Sequence, residues 1–426
     1  MRITRLIQGG LQEKFLADPY KVHGALFGLF IIQGLFYASP VEIMRGLWAI
    51  IASPALLVTD YIAVGGLGAA LTNVGLAGLL AILTLKLAGH KPNGLTMGAF
   101  GLVVGFAFFG KNPLNMLPIL LGGILYSRFT KTRYKDCALP VLLATCLAPA
   151  VSQLAFISHI PLGLGIALGV GVGLVIGFVI KPIAEAVAKV HEGNNLYNVG
   201  FAAGILGLGI LALYNIFGVS FAAARIWSSG YNFELTLFLA ITAVYFTICG
   251  LMSRGRNLTA GELVDIDADD KDYFNKHGEK AYQAMGVMAF SMLGFMAIVG
   301  GEYSGPVLGA IMSVVGFGAF GKTIRFAYAP LIGAMLGAVV NMAMTGTPFN
   351  SSGFLVAAIF STCLSPLTKN YGFGWGVVAG FVHQAIVPFV GLAHGGLNLY
   401  NNGFAGGTTA MLLLPIIKFL KSRGAA

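Results

Sequence analysis

The chain has 426 residues, of which 57% are hydrophobic and 10% are charged, whereas soluble domains carry roughly 25% charged residues. A water-soluble fold is excluded, because so few charges do not cover the surface of a chain of this length. The net charge of +10 does not indicate nucleic acid binding, since the basic residues are scattered between apolar segments, as in proteins that face anionic lipid. Membrane lipids are therefore a predicted partner, and nucleic acid is not.

The N-terminus and the cysteines carry no targeting or metal motif. Residues 1–21 are too polar for a cleavable signal sequence and are predicted to lie as an amphipathic segment on the cytoplasmic membrane surface. The cysteines show no CxxC or CxxH spacing, so a disulfide framework, a metal site and a cofactor are not predicted.

Apolar segments alternate with short polar breaks and predict fourteen membrane segments. Several are shorter than the roughly 20 residues that a bilayer requires, so some are predicted to be tilted, broken or re-entrant. Residues 44–58 contain Pro54 and are predicted to form a half-helix or an interfacial segment. The fourteen segments are residues 22–38, 70–88, 94–109, 113–128, 138–157, 162–181 and 197–214, then 233–252, 283–299, 305–320, 327–344, 353–367, 373–392 and 400–418.

The distribution of Lys and Arg indicates the orientation. The turns near 158–161, 345–352 and 393–399 contain neither residue, which is typical of turns outside the cytoplasm. With fourteen crossings, both termini are predicted to be cytoplasmic, and so is the hydrophilic insert at residues 253–282.

Three blocks of sequence are repeated, which predicts an internal duplication. HEGNNLYNVGFAAG from His191 returns as HGGLNLYNNGFAGG from His394, a shift of 203 residues; a glycine-rich block from Gly94 returns from Gly305, and TCLAP from Thr145 returns as TCLSP. Seven segments separate matched positions, and this odd number predicts that the second half is inverted. The predicted parts are a first membrane repeat at residues 22–216, an outer linker at 217–232, a second membrane repeat at 233–420 and a cytoplasmic tail at 421–426.

The sequence thus predicts an all-α membrane protein of two inverted repeats with about seven segments each. Inverted repeats place equivalent residues near the bilayer midplane, where many solute carriers bind their substrates. We therefore expect a transporter or channel-like permease that moves a small polar solute along the interface of the repeats.

The repeated NLYNxGFAxG motif supplies the first candidate site. Amides are costly in lipid unless they pair or line a wet cavity, so two amides and two rings in each copy favour binding loops for a solute. The alternative is a helix cap followed by small-residue packing. The candidate contacts are Asn195, Asn198, Asn398 and Asn401, with Tyr197, Tyr400, Phe201 and Phe404 as walls.

Other polar residues are weaker candidates. His191 and His394 precede the two motifs and are candidates for gating or proton coupling, or else hydrogen-bonded interfacial histidines. Asn115 in NPLN and Asn350 in TPFN, at proline-containing breaks, form a second candidate pair or simply cap helices. Finally, the repeated lysines, Lys111 and Lys322, are interpreted as snorkelling to the membrane surface.

Two other functions stay open. An intramembrane enzyme acting on lipid or isoprenoid substrates is disfavoured, because it requires clustered acids and no acidic residue is found duplicated within the repeats; we therefore predict that the chain is not an enzyme. A non-transporting membrane subunit, docked through the acidic insert, is the second alternative. The sequence does not identify the substrate or the coupling ion, and it does not decide between a monomer and a homo-oligomer.

Over nearly its full length the chain resembles an uncharacterised family of bacterial inner-membrane proteins, a domain of unknown function with the HxGxNLYNxGFAxG repeat. This resemblance implies the bacterial inner membrane but no activity. The segment GLTMGAFGLVVGFAFF from Gly94, followed by LPILLGGILYS and LPVLLATCLAP, is also similar in its order of elements to one half of bacterial urea transporters. That likeness implies a small uncharged or polar solute, although Phe100 stands where those proteins have an asparagine.

Overall fold

The computed structural model describes residues 10, 12–157, 160–220, 224–264 and 272–424. Within these ranges the protein is helical, with one isolated bridge between Thr59 and Ile226 and no longer strand. The predicted N-terminal segment 1–21 and turn 158–161 lie partly outside the described residues, and so does the acidic part of the insert, at residues 265–271.

Ten helices of the first half lie wholly within the described residues. They are α1 (Pro19–Tyr37), α2 (Pro40–Ala52), α3 (Tyr61–Gly65), α4 (Leu67–Leu87), α5 (Gly94–Phe106), α6 (Pro113–Phe129), α7 (Ala138–Ala144), α8 (Ala148–Ala155), α9 (Leu162–His191) and α10 (Asn198–Ile216). A 3-10 turn at Thr145–Leu147 joins α7 to α8.

The second half also has ten helices within the described residues. Its helices are α11 (Asn232–Met252), α12 (Ala260–Val264), α13 (Tyr273–His277), α14 (Ala281–Val299), α15 (Gly305–Gly318), α16 (Ile324–Thr345), α17 (Ser352–Ser361), α18 (Ser365–Tyr371), α19 (Phe373–Ala393) and α20 (Asn401–Ser422). A 3-10 turn at Thr362–Leu364 joins α17 to α18, as in the first half.

Ten helical segments of the described chain are long and apolar enough to cross a membrane, or eleven if the bent pair of α1 and α2 is one of them. The protein is therefore a multi-pass membrane protein, as expected, but fourteen full crossings are too many. Two of the fourteen predicted segments, α5 and α15, are too short to cross. They have 13 and 14 residues and are therefore about 20 Å long, whereas the hydrocarbon core is ~30 Å thick. Helix α2 is bent by 112° from α1, consistent with the half-helix predicted at residues 44–58.

The two short helices pack against each other at the centre of the fold. Every residue of α15 is buried, as are nearly all residues of α5. Gly98 lies against Phe317, Gly101 against Gly316 and Gly105 against Gly309, and a Cβ on any of these five glycines would meet a neighbour at 3.0 Å or less. The residue numbers of the contacts decrease along α15 as they increase along α5, so the two helices are antiparallel.

The breaks beside the short helices follow from local sequence. Asn112 caps α6 by accepting hydrogen bonds from Leu114 N and Asn115 N, both at 3.0 Å, and Pro113 occupies the first turn, where its missing N–H is not needed. Prolines also stand in the first turns of α8 and α18. Each of these prolines forces a new helix to begin, which explains the interrupted segments.

Candidate functional site

The two NLYN motifs meet where α10 crosses α20. Gly200 and Gly403 face each other so closely that a Cβ on Gly200 would lie 2.9 Å from the Gly403 Cα. The rings of Tyr197 and Tyr400 are 4.9 Å apart between centroids, and both side chains are 1% exposed. The structure therefore brings the two predicted motifs together in the interior of the protein.

Asn195 and Asn398 cross-link the two motifs. The side-chain amide of Asn195 donates to Gly403 O at 3.0 Å, and that of Asn398 donates to Gly200 O at 3.3 Å. Each side-chain oxygen accepts from the backbone N–H of the tyrosine two residues on, both at 3.0 Å. These amides are thus occupied by bonds between the halves rather than directed into a cavity.

Each histidine holds the other asparagine of its own motif. His191 Nε2 lies 2.8 Å from Asn198 Oδ1, and His394 Nε2 lies 2.9 Å from Asn401 Oδ1. The two amides donate to Ala184 O and Val387 O at 3.0 and 3.1 Å, and these carbonyls are also 203 residues apart.

Both ring nitrogens of His394 are used, because its Nδ1 accepts from Asn398 N at 3.3 Å. A ring that donates at one nitrogen and accepts at the other is neutral. This geometry favours a structural role for His394, whereas Nδ1 of His191 is buried without a partner among the described residues.

Phe201 and Phe404 fill the helix crossing. A Cβ on Gly204 would lie 2.1 Å from Phe404 Cγ, and one on Gly407 would lie 2.2 Å from Phe201 Cγ. Each ring thus packs into a glycine notch on the opposite helix, which is a packing role rather than a cavity wall.

Asn115 and Asn350 do not form a matched pair. Asn115, in the first turn of α6, accepts from the backbone N–H of the capping residue Asn112 at 2.8 Å and donates to Gly110 O and Ser152 Oγ at 3.1 and 3.0 Å. Asn350 donates to Val299 O and Gly300 O, at the end of α14. Asn115 also lines a small separate cavity of about 160 Å³.

The interpretation of Lys111 and Lys322 as snorkelling lysines is wrong. Both side chains are 1% exposed, because each follows the end of a short central helix and therefore lies inside the protein. Lys322 Nζ donates to Tyr197 Oη at 2.8 Å and to Thr362 Oγ1 at 2.9 Å. Lys111 Nζ lies 5.3 Å from the centroid of Phe106, whose ring contacts Tyr400 at 5.2 Å.

These buried side chains are here called the central cluster. Lys322, Tyr197 and Thr362 are joined by hydrogen bonds, and Tyr400 and Lys111 are linked to them through ring contacts with Tyr197 and Phe106. The members of the cluster come from both halves of the chain. Thr362 joins it because the 3-10 turn interrupts the helical segment there. The central cluster consists of Lys111, Lys322, Tyr197, Tyr400 and Thr362.

A cavity of about 300 Å³ ends at the central cluster. Tyr197, Tyr400 and Phe317 line its inner end, and Lys322 Nζ lies behind them, 4.7 Å from the Tyr197 ring centroid and 5.3 Å from that of Phe317. Its other lining residues include the charged side chains Asp136, Lys181 and Glu185, which are 45%, 21% and 64% exposed. The cavity therefore connects a charged surface with the buried tyrosine pair.

A duplicated acidic residue was also missed in the sequence. Asp60 accepts from Gly305 N at 3.0 Å and Asp272 accepts from Gly94 N at 3.0 Å, so each carboxylate caps the short helix of the other half. The sequence feature that could have identified this pair is the dipeptide Asp-Tyr, which occurs at residues 60–61 and again at 272–273. The two copies are 212 residues apart, and the glycine-rich blocks are 211 residues apart. These carboxylates are helix caps rather than an acid cluster of the kind that an intramembrane enzyme requires.

No group of three or more His, Cys, Asp or Glu side chains within the described ranges could hold a metal ion. The four cysteines are free and buried.

Comparison with protein families gives one match. The family model described as a protein of unknown function, DUF1576, matches residues 39–216 and 265–419. Comparisons with curated proteins and with solved structures return no match. Because the matched segments cover most of both halves, the chain belongs to the DUF1576 family of proteins of unknown function.

Proposed function

We propose that this membrane protein transports a small solute through the cavity that ends at Tyr197 and Tyr400. The observation that carries the proposal is the cavity itself, which runs from exposed charged residues to a buried polar cluster between the halves of the chain. Buried ionisable groups in membrane proteins are costly and mark solute and ion pathways.

Two further features support transport. Each half has a short central helix that begins and ends inside the protein, and irregular backbone at such depth is found where it lines a binding site. The antiparallel packing of α5 on α15 also fits inverted halves, in which the same elements approach the site from opposite sides of the membrane.

The test compares two variants of α9 in liposomes. Ala188 lines the cavity and Ala186 is exposed on the same helix, so Ala188→Trp fills the path while Ala186→Trp does not. Purified protein is reconstituted, exposed to a small-molecule extract of cells, and the solutes taken up are identified by mass spectrometry and ion chromatography. We expect at least one solute to accumulate about tenfold more with wild-type protein and Ala186→Trp than with Ala188→Trp. If no solute distinguishes wild type from Ala188→Trp, the proposal is wrong.

A further inference from the structure

The walls of the cavity that ends at the two tyrosines are mainly apolar. Leu139 and Leu143 lie one turn apart on α7, and Ala184 and Ala188 lie one turn apart on α9. Residues four apart lie on the same face of a helix, so each helix contributes a pair of apolar side chains to the walls. Nine of the fifteen lining residues are aliphatic, proline or phenylalanine, and a solute in this cavity therefore lies mainly against hydrocarbon.

The polar groups of the inner lining are mostly occupied. Both ends of the Asn198 amide are bonded within its own half, and the Tyr197 hydroxyl accepts from Lys322 at 2.8 Å. Among these groups, the Tyr400 hydroxyl alone has no hydrogen-bond partner in the described residues. A sugar or another solute with many hydroxyls would lose hydrogen bonds to water that this lining does not replace, which is costly.

The charged lining residues lie at the exposed end of the cavity and are also paired. Lys181 forms an ion pair with Glu185, and Asp136 Oδ2 lies 3.3 Å from Arg133 Nε. These side chains are partly or largely exposed, so their charges are solvated and do not reach into the apolar part. The cavity thus has a polar mouth and an apolar interior, which is typical of sites for small organic ligands.

We propose that this cavity binds a small amphiphilic solute. Its aromatic or branched aliphatic body lies between α7 and α9 against the rings of Tyr197, Tyr400 and Phe317, and its polar head stays at the charged mouth. The inference rests on the proposed function, because it names the class of solute for the same cavity. Burial of the body supplies the binding energy, since each methylene group removed from water tightens binding about fourfold. The class excludes sugars, polyols and inorganic ions, and it is less polar than the solute expected from the sequence.

Equilibrium dialysis of the purified protein in detergent tests the class of solute. The ligands are phenylethanol, phenylpropanol and phenylbutanol, and myo-inositol is the polar ring of similar size. Site binding is the ligand held by the wild-type protein above that held by Ala188→Trp, so that partition into micelles cancels. We expect binding to tighten about fourfold with each methylene until the cavity is full, and we expect none for myo-inositol. The exposed variant Ala186→Trp should bind as the wild type does.

The head group is varied on a constant body. Phenylpropylamine carries a cationic head and phenylpropanoate an anionic one, and the ligand that binds most tightly shows which charge the mouth prefers. Binding of any of the aromatic ligands supports the inference. If none of them binds the wild-type protein more than Ala188→Trp, or if myo-inositol binds as tightly as they do, the inference is overturned.

Enlarging the cavity gives a second test that does not depend on Ala188→Trp. Leu143→Ala shortens a side chain of the wall and leaves space behind, so affinity is expected to go on rising for at least one methylene beyond the length at which the wild type levels off. Leu142→Ala on the same helix is the matched control, because Leu142 is buried outside the lining. The same limiting length in all three proteins contradicts a solute body between α7 and α9.

The liposome uptake assay separates this inference from the proposed function. If aromatic ligands bind in the cavity while no solute of the cell extract distinguishes wild type from Ala188→Trp, transport is contradicted and the binding site stands. If the solute whose uptake Ala188→Trp blocks is a sugar, a polyol or an inorganic ion, transport is supported and this inference is overturned.

Discussion

Asn195 and Asn398 show how a buried amide stabilises this fold. Each satisfies two backbone groups, one in its own motif and one in the opposite half. In a region without water, a backbone carbonyl or N–H that loses its partner has no replacement, so these bonds determine how the two motif loops pair.

We therefore predict that Asn195→Ala and Asn398→Ala each lower the free energy of unfolding by about 1–3 kcal/mol, because each leaves buried backbone groups unsatisfied. The measurement is unfolding of the purified protein in mixed micelles with increasing SDS. Asn215→Ala is the matched control, since Asn215 is exposed at the end of α10, and it should be neutral. Variants as stable as wild type would show that these amides are free to contact solute instead.

The NLYN motif shows what a repeated sequence pattern predicts about a site and what it does not. The two copies of the motif do meet in the structure. A repeated motif does not show, however, whether an asparagine side chain points into a cavity or bonds to the backbone. Sequence alone could not separate solute binding from loop pairing, because Asn serves both equally well. The lysines were misjudged for a related reason: a lysine at the end of a short apolar segment is exposed or buried according to what packs around that end.

Among the helices, close packing depends on glycines at defined crossings. A Cβ on Gly200 would lie 2.7 Å from the Tyr400 ring and 2.9 Å from the Gly403 Cα, whereas one on Gly209 of the same helix would meet nothing within 4 Å. The two positions have the same residue type in the same element but different surroundings.

Gly200→Ala is accordingly expected to destabilise the protein by about 1–3 kcal/mol through overpacking. Gly209→Ala is expected to be neutral or stabilising by up to ~1 kcal/mol, through its helix propensity. Thermal unfolding of both variants in detergent checks the contrast. Equal stabilities of the two variants would mean that α10 and α20 do not cross as described.

At the scale of the whole molecule, the repeated blocks predict that the two halves cross the bilayer in opposite orientations. Lys91 and Glu302 precede α5 and α15, are 211 residues apart and are both exposed. Inverted halves require these equivalent positions to lie on opposite sides of the membrane, with Lys91 in the cytoplasm.

We predict that Glu302→Cys is labelled by a membrane-impermeant maleimide in intact cells, and that Lys91→Cys is labelled only after the membrane is permeabilised. The four native cysteines are buried, so the unmodified protein is the background control. A Lys421→Cys variant near the C-terminus should behave like Lys91→Cys. Labelling of positions 91 and 302 from the same side would refute the inverted arrangement.

Composition and hydropathy were sufficient to identify a helical multi-pass membrane protein, because long segments of apolar residues are stable in lipid and not in water. The matched blocks predict the division into two halves. The number of full crossings, the burial of the two lysines and the cavity beside the tyrosine pair were decided by tertiary structure. Burial inside a membrane protein depends on which helices pack together, since lipid-facing and protein-facing residues are equally apolar. The central cluster therefore depends on the tertiary structure, because its residues are far apart in the sequence and come from both halves of the chain.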